Sequence, residues 1–287
     1  MRLLAIAVVS ILPAYAWSPA PSPKYDFGYL GFVNGHVHWP APELLVHDLR
    51  SQDEVVRLNA LMLIGIPEEA ARRYSEHPPH VVKPEQIELR FAALGVDETE
   101  QAIVFVQYGG ANGIAAVASP RTNGWERIAA FTCWCKYDTD DMADSFVSLV
   151  RAPDAAPGPN RFELVLRASG GGTGRYIQHE AHFRFRRGEM KPVMSFVRRD
   201  TVFNTGPQLT VSRRSFYIKP LMFPDGSGGN GGVLTEADGE SASRPPSNVM
   251  SERGFEDRYL SRFTCRTFRW DGGRFEYVAV SVATVCK

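Results

Sequence analysis

The residues with the clearest chemical potential in this 287-residue chain are its four cysteines, Cys133, Cys135, Cys265 and Cys286. An even count in an exported chain indicates disulfide bonds, and four cysteines allow three pairings. Cys133 and Cys135 share one face of a predicted strand, so a bond between them would strain its geometry. A bond from either one to Cys265 or Cys286 would link the C-terminus to the middle of the predicted sheet.

Two other interpretations of the cysteines stay open. Cys265 could pair with Cys286, but a simple hairpin turning at 271–273 places Cys265 opposite residues 278–280. That bond would therefore require the chain to bend after Val280. The run CWC at 133–135 could instead be a redox-active pair, although no thioredoxin-like βαβ pattern surrounds it. The sequence thus predicts structural disulfides, with thiol-redox chemistry as one alternative function.

Two histidine patterns resemble metal sites, but neither has the ligands or the spacing that such a site requires. His36 and His38 are two residues apart, which would place both imidazoles on one face of a strand. Even with His47 as a third ligand, the set falls short of the four ligands of a structural zinc site. The run HEAH at 179–182 is one residue shorter than the zinc-protease motif H-E-x-x-H, and a strand would point its two histidines to opposite faces. The sequence therefore predicts no metal site.

Glycine-rich runs and carboxylates also fail to define a catalytic site. The run at 226–231 matches G-x-G-x-x-G but lacks the helix and the βαβ unit of a dinucleotide site. The run at 170–174 favours a hairpin turn and lacks the lysine of a phosphate-binding loop. No serine has the G-x-S-x-G pattern, and no spacing identifies a pair of acids for glycoside hydrolysis. We predict no cofactor and no catalytic residue, with a hydrolase of envelope polymers as an alternative function.

Aromatic residues are the last chemical signal. Trp125, Trp134 and Trp270 lie on or beside predicted strands, where such residues usually belong to the core. If they are exposed, their rings could stack on a sugar or a peptide. Together with His36 and His38 they form the set of candidate ligand contacts.

The N-terminus predicts export from the cell. Arg2 precedes an apolar run at 3–12, and Ala14-Tyr15-Ala16 matches a cleavage site before Trp17. Ten residues are about half of what a membrane-spanning helix requires. We expect a signal peptide at 1–16 and a periplasmic or secreted protein without a membrane span. Because Arg greatly outnumbers Lys, we infer a bacterial source with a GC-rich genome.

The rest of the chain divides by composition and period. A leader rich in proline and aromatic residues covers 17–39, and a helical hairpin covers 40–80. From 84 to 287 the apolar period changes to two, which predicts an antiparallel β domain. A Gly/Ser/Pro-rich stretch at 224–251 is predicted to be a flexible loop inside that domain. The predicted fold class is α+β, with a small helical hairpin and a larger sandwich or open, blade-like sheet.

Two stretches resemble known repeat families. The string ELLVHDLRSQDEVVRLNALMLIG at 43–65 resembles a HEAT-type helical repeat, and its apolar stripe includes Val55, Leu58, Leu61 and Met62. A single repeat cannot bury its own face, so it must pack on the rest of the chain. Segments 104–131, 164–196 and 263–280 are similar to the strand–turn units of exported bacterial VCBS or FG-GAP proteins. The acidic run at 97–100 does not reproduce their Asp-rich calcium loops, so no calcium ligands are implied.

The charge balance narrows the class of partner. Lys+Arg and Asp+Glu both total 32, and hydrophobic residues make up 44% of the chain. A neutral chain has no basic excess to bind nucleic acid and little long-range field to steer a charged partner. The favoured function is therefore a non-catalytic binding or interaction module of the bacterial cell envelope, with an unidentified protein or glycan as its partner.

Overall fold

A computed structural model describes most of the chain in eleven segments. They are residues 28, 30–76, 82–95, 99–108, 112–134, 146–152, 161–172, 175–203, 211–220, 233–241 and 262–283. Only the backbone is described at 134, 171, 172, 175, 176, 196–203, 211–220, 233–241, 262–267, 269 and 280–283. The predicted signal peptide, Cys135 and Cys286 lie outside these segments.

The described residues form an α+β fold, as the sequence predicts. The helices are α1 (Pro42–Leu49), α2 (Glu54–Ile64) and α3 (Glu68–Glu76), followed by a 3₁₀ turn at Pro84–Gln86. The first five strands are β1 (Leu30–Trp39), β2 (Ile87–Ala92), β3 (Gln101–Tyr108), β4 (Asn112–Arg121) and β5 (Gly124–Trp134). The others are β6 (Val147–Arg151), β7 (Phe162–Gly172), β8 (Arg175–Arg186), β9 (Glu189–Phe203), β10 (Val211–Pro220), β11 (Val233–Ser241), β12 (Arg262–Asp271) and β13 (Glu276–Ala283). None of the helices in the described segments is long and apolar enough to cross a membrane.

The strands form two antiparallel sheets. The first has the order β1-β5-β4-β3-β2, and the second runs from β13 through consecutive strands to β6. Short turns join most neighbouring strands, which is the connection that antiparallel pairing permits. In the first sheet, β1 pairs with β5 from Leu30 opposite Cys133 to Trp39 opposite Trp125, with an irregularity between Asn34 and Val37.

The helices pack on one face of the first sheet. Asp53 caps α2, because its Oδ1 accepts hydrogen bonds from the amides of Val55 and Val56 at 2.9 and 3.2 Å. Gly65 ends α2 in a left-handed conformation with a φ of 109°. The buried guanidinium of Arg57 donates to the carbonyl of Ser51 and to that of Ser75. It therefore ties α2 to the segment before it and to the end of α3.

Two main apolar cores separate the layers. One lies between the helices and the first sheet, around Trp39, Leu61 and Ile64. The other lies between the two sheets, around Phe131, Leu164 and Phe183. A third, small cluster contains Met194, Phe275 and Tyr277 and covers the opposite face of the second sheet. The order of layers is therefore helices, first sheet, second sheet and the turn region of the β12–β13 hairpin.

Several sequence expectations differ from this structure. The predicted leader at 17–39 contains β1, and the predicted loop at 224–251 contains β11. On α2 the buried stripe is Arg57, Ala60, Leu61 and Ile64, whereas Val55 and Met62 of the predicted stripe are exposed. Polar Arg57 occupies a core position because its guanidinium has carbonyl partners, which a count of apolar residues does not detect.

Candidate functional site

A buried cluster of ionisable side chains lies on β7 and β8. Even-numbered residues of β7 and odd-numbered residues of β8 point into the core between the sheets. Since strand side chains alternate, Glu163 and Arg167 on β7 and Glu180 and His182 on β8 share the other face. Glu163, Glu180 and His182 are all buried there. The register places Arg167 opposite Glu180 and His182 opposite Val165, so the charged groups are neighbours on one surface.

His182 lies between two carboxylates. Its Nδ1 is 2.9 Å from Glu163 Oε2, and its Nε2 is 3.0 Å from Glu180 Oε1. Arg167 Nε donates to the remaining oxygen of Glu180, Oε2, at 2.6 Å. The cluster therefore combines two carboxylates with two cationic groups, which offsets the cost of burying each charge.

The carboxylates determine the protonation of His182. Burial alone would lower the pKa of this imidazole, because the charged form loses its hydration. The hydrogen bonds and negative charges of Glu163 and Glu180 outweigh that effect and raise the pKa to about 9. His182 is therefore an imidazolium at neutral pH, and both ring N–H groups donate.

Metal binding does not suit this protonation state, because an imidazolium has no lone pair for a metal ion. Among the residues that the structure describes, no group of three or more His, Cys, Asp or Glu side chains is arranged to bind a metal ion.

The β12–β13 hairpin covers the cluster. The hydroxyl of Tyr277, at the start of β13, donates to Glu163 Oε1 at 3.0 Å. The ring of Trp270, at the end of β12, contacts those of Phe275 and Tyr277 with centroids 5.2 and 5.3 Å apart. One hydrogen bond thus joins residues 114 positions apart and fixes the hairpin on the sheet.

Arginine side chains pack against the aromatic rings of this hairpin. Arg184 is fully buried, and its Cζ lies 4.9 Å from the ring centroid of Trp270 and 5.1 Å from that of Phe275. Arg186 stacks on the ring of Phe275 at 4.6 Å. Phe275 has a φ of 58°, which is rare for a side chain of this size. The cation–π contacts therefore involve a residue in a strained backbone conformation.

The cluster has a closed pattern of hydrogen bonds. Each of the four carboxylate oxygens of Glu163 and Glu180 contacts a donor of the chain, and both nitrogens of His182 are engaged. A general acid or base must reach a proton of the substrate, and these groups instead face one another. The chemistry that this geometry supports is charge-assisted fastening of the hairpin to the sheet.

Sequence reasoning did not identify this cluster. The alternation of charged residues at 163 and 167 and at 180, 182 and 184 is typical of a solvated strand face. The face is buried only because a hairpin about 100 residues later in the chain lies over it. The sequence expectation that His179 and His182 point to opposite faces agrees with the structure, where the ring of His179 lies against Gly28 and His182 joins the cluster.

Three of the five predicted ligand contacts lie at one end of the first sheet. The register places His38 opposite Glu126 and Trp39 opposite Trp125, and His36 precedes them on β1. The half-buried ring of Trp125 contacts that of Phe91, with centroids 5.9 Å apart. Phe91 is 38% exposed. The side chain of Trp134 is outside the described part, and Trp270 belongs to the hairpin cover.

An ionic network lies at the same end of the sheet but on the opposite face from this aromatic pair, because Trp125 and Glu126 are consecutive residues of β5. Glu126 Oε2 accepts from Arg121 Nε at 2.6 Å and is 3.2 Å from His36 Nδ1. The hydrogen bond from Arg121 lowers the pKa of Glu126, and its contact with His36 lowers it further. The end of the sheet thus presents aromatic rings on one face and charged hydrogen-bonding groups on the other.

Cys133 lies in the core between the sheets and is 4% exposed. Its sulfur is disulfide-bonded, and the partner is outside the described side chains. The hairpin register places Ala283 opposite Cys265, rather than residues 278–280, because the turn is longer than predicted and β12 is irregular between Thr267 and Phe268. The choice among the possible pairings stays a prediction.

Comparisons with known proteins give no relative. No protein-family model matches the chain, and no curated protein and no solved structure shows significant similarity to it.

Proposed function

We propose that this protein is a non-catalytic binding module of the bacterial cell envelope. The observation that carries the proposal is the exposed Phe91 ring in contact with Trp125, at the end of the first sheet that also carries, on its other face, the network of Arg121, Glu126 and His36. We call this set the sheet-end surface. Aromatic rings offer a flat apolar face, and the charged groups at the same end of the sheet offer donors and acceptors.

A glycan is the partner that this combination fits best. A sugar ring has an apolar C–H face that can stack on an aromatic ring and hydroxyls that can bond to charged groups. Arg121 and Glu126 offset each other's charge, so the surface does not select a strongly charged ligand. A peptide partner would use the same rings but would need an apolar groove for its side chains.

The closed hydrogen-bond pattern around His182 supports the part of the proposal that makes this protein non-catalytic. Among the described residues, Glu163 and Glu180 are the buried carboxylates that a hydrolase could use, and their oxygens are engaged by His182, Arg167 and Tyr277. The alternative, a hydrolase of envelope polymers, would require these bonds to open when the substrate binds.

The thiol-redox alternative would require a reactive cysteine, whereas Cys133 is buried and disulfide-bonded.

Isolated bacterial peptidoglycan tests this proposal, with binding and cleavage measured in parallel. We expect the protein to co-sediment with peptidoglycan and to release no soluble fragments. Trp125→Ala should reduce the bound fraction at least about tenfold, in line with the loss of one stacked ring. Leu44→Ala is the matched control, because Leu44 is an exposed apolar side chain on α1.

The outcomes separate the three functions. Failure to bind peptidoglycan, or equal loss of binding in both variants, would refute the glycan-binding proposal. Release of fragments that Glu163→Gln abolishes would establish the hydrolase. Reduction of an insulin disulfide that requires Cys133 would establish the redox protein.

The same proposal includes three further features: export, the HEAT-like character of 43–65, and disulfides that link distant parts of the chain. An oxidising compartment would account for the bonded state of Cys133. The intact mass of the protein recovered from its native cells tests export, since cleavage before Trp17 removes a defined mass. A mass that includes residues 1–16 would contradict it.

A further inference from the structure

Two turns meet at one edge of the second sheet and bring arginines together. The β8–β9 turn carries Arg186 and Arg187, and the β12–β13 turn carries Arg274 and Phe275. The guanidinium of Arg186 stacks on the Phe275 ring at 4.6 Å, which joins the two turns. We call Arg186, Arg187 and Arg274 the arginine edge.

Two of the three guanidinium groups of this edge have no hydrogen-bond or ion-pair partner in the described part of the chain and are available to a ligand. Within the described residues, the guanidinium groups of Arg186 and Arg187 have no hydrogen bond or ion pair, and Arg187 is exposed. By contrast, Arg72, Arg90 and Arg121 each contact a glutamate. What distinguishes this edge in a chain of zero net charge is that arginines from two separate turns lie together on it.

The acids of the same two turns are already engaged. Asp271 Oδ1 accepts from the amides of Gly273 and Arg274, and its Oδ2 is 3.6 Å from Arg274 Nε. Glu189 contacts Lys191. Glu276 has a contact of its own. These acids reduce the positive potential of the edge but do not engage Arg186 or Arg187.

The contact with the Phe275 ring restrains the Arg186 side chain next to the turn. Its planar guanidinium can then offer an oxyanion two parallel hydrogen bonds. A phosphate group has more acceptor oxygens and more charge than a carboxylate, so it can engage more than one guanidinium at once. The geometry points to an anion-binding edge formed by Arg186, Arg187 and Arg274 that takes the phosphate groups of a soluble polymer.

A lipid headgroup fits the edge less well than a polymer does. Proteins that lie on membranes combine cationic groups with exposed apolar side chains. In the described part of the chain, the exposed large apolar residues are Val33, Leu44, Val55, Met62 and Phe91, and none belongs to either turn. This inference concerns a different surface from the sheet-end surface and does not depend on peptidoglycan binding.

Calorimetric titration of the full chain with a short linear polyphosphate tests the arginine edge. We expect saturable binding at low ionic strength that weakens as salt is added. Arg186→Gln should weaken the affinity about tenfold, because it removes a charge-assisted contact. Arg186→Lys should also weaken it, since an ammonium does not keep the planar fork. Arg73→Gln is the matched control, because Arg73 is an exposed arginine on α3.

A second variant protects the test against misfolding. Arg187 has a φ of 54°, which asparagine tolerates, so Arg187→Asn removes a charge without disturbing the Phe275 contact. It should weaken polyphosphate binding while the unfolding transition is unchanged. Absence of binding by the native chain would overturn the inference, as would equal effects of Arg186→Gln and Arg73→Gln. Binding to phosphatidylglycerol vesicles without binding to polyphosphate would overturn it as well.

Discussion

At the scale of single residues, His182 decides the stability of the covered face of the second sheet. Its two N–H groups contact Glu163 and Glu180, and it is almost completely buried. A buried ion pair often contributes little compared with an apolar substitute, but removal of one partner leaves an uncompensated charge. Because removal of one partner costs more than the pair contributes, substitution of His182 should destabilise the chain more than substitution of its neutral neighbours.

Substitution of His182 by glutamine should therefore be costly. His182→Gln removes the positive charge between two carboxylates, and we expect the free energy of unfolding to fall by about 3 kcal/mol or more. Urea denaturation measures this directly. His47→Gln, at an exposed position on α1, should change it by less than about 0.5 kcal/mol. Equal stabilities of the two variants would show that the cluster is not held by charge.

The raised pKa of His182 also predicts how stability depends on pH. The native pKa of about 9 lies above the ordinary value of 6.5, so the native state binds the proton more tightly than the unfolded chain. The contribution of His182 is complete below about pH 6.5 and is lost as the pH rises through about 9. Unfolding free energies of the native chain and of His182→Gln should thus converge between pH 6 and pH 10. A constant difference over that range would contradict the assignment.

The sequence shows that charged residues alternate with apolar ones on these strands, but it does not predict that they form a buried cluster. Glu163 and His182 alternate with apolar residues on strands that the sequence does predict, so their shared face follows from period two. That the face is buried depends on Tyr277, more than 90 positions further along the chain. Contacts of that range are set by topology, which local patterns do not encode. His36, His38 and Trp125, by contrast, lie at one end of the first sheet because β1 pairs with β5.

At the scale of elements, the helices and most strands follow from sequence patterns, and the exceptions have physical causes. β1 contains glycine and histidine rather than a clean alternation, and it is positioned by its long pairing with β5. β11 contains Gly239 and acidic residues, and it forms because β10 and β12 lie on both sides of it. In both strands tertiary pairing outweighs weak β propensity.

The end of α2 gives a prediction that separates backbone strain from steric clash. In Gly65→Ala the new Cβ would lie 2.8 Å from Arg127 Nη1 and 3.1 Å from Ala130 Cβ, at a φ of 109°. Gly188 has a φ of 87° but open space around it. We expect Gly188→Ala to cost about 1 kcal/mol from strain alone and Gly65→Ala about 1–2 kcal/mol more. Thermal denaturation compares them, and equal costs would exclude the steric contribution.

The hairpin β12–β13 gives a second prediction at this scale. Tyr277→Phe removes the hydroxyl that donates to Glu163, which should destabilise the chain by about 1.5–3 kcal/mol. Tyr74→Phe is the control, since the hydroxyl of Tyr74 makes no hydrogen bond within the described residues. Amide hydrogen exchange should become faster in β12 and β13 of Tyr277→Phe before it does in β3 and β4. Uniform acceleration across both sheets would refute the fastening role.

At the scale of the whole molecule, the fold consists of layers joined by few specific contacts. Apolar cores join the helices to the first sheet and the first sheet to the second. The hairpin layer adds a small apolar cluster and the charged network around His182. Such a layer contributes less apolar burial than the main cores, so polar contacts and covalent links have a larger share in its stability.

The disulfide of Cys133 is the covalent link whose effect can be predicted for the molecule as a whole. Since Cys133 is buried between the sheets, a bond to Cys265 or Cys286 would tie that core to the β12–β13 hairpin. A loop of this length restricts the unfolded chain, so reduction should lower the free energy of unfolding by about 2–5 kcal/mol. Peptide mapping without reductant should show Cys133 joined to one of these two cysteines. A Cys133–Cys135 peptide would refute the long-range link, because a bond between neighbours closes almost no loop and leaves the hairpin fastened by Tyr277 and its apolar contacts alone.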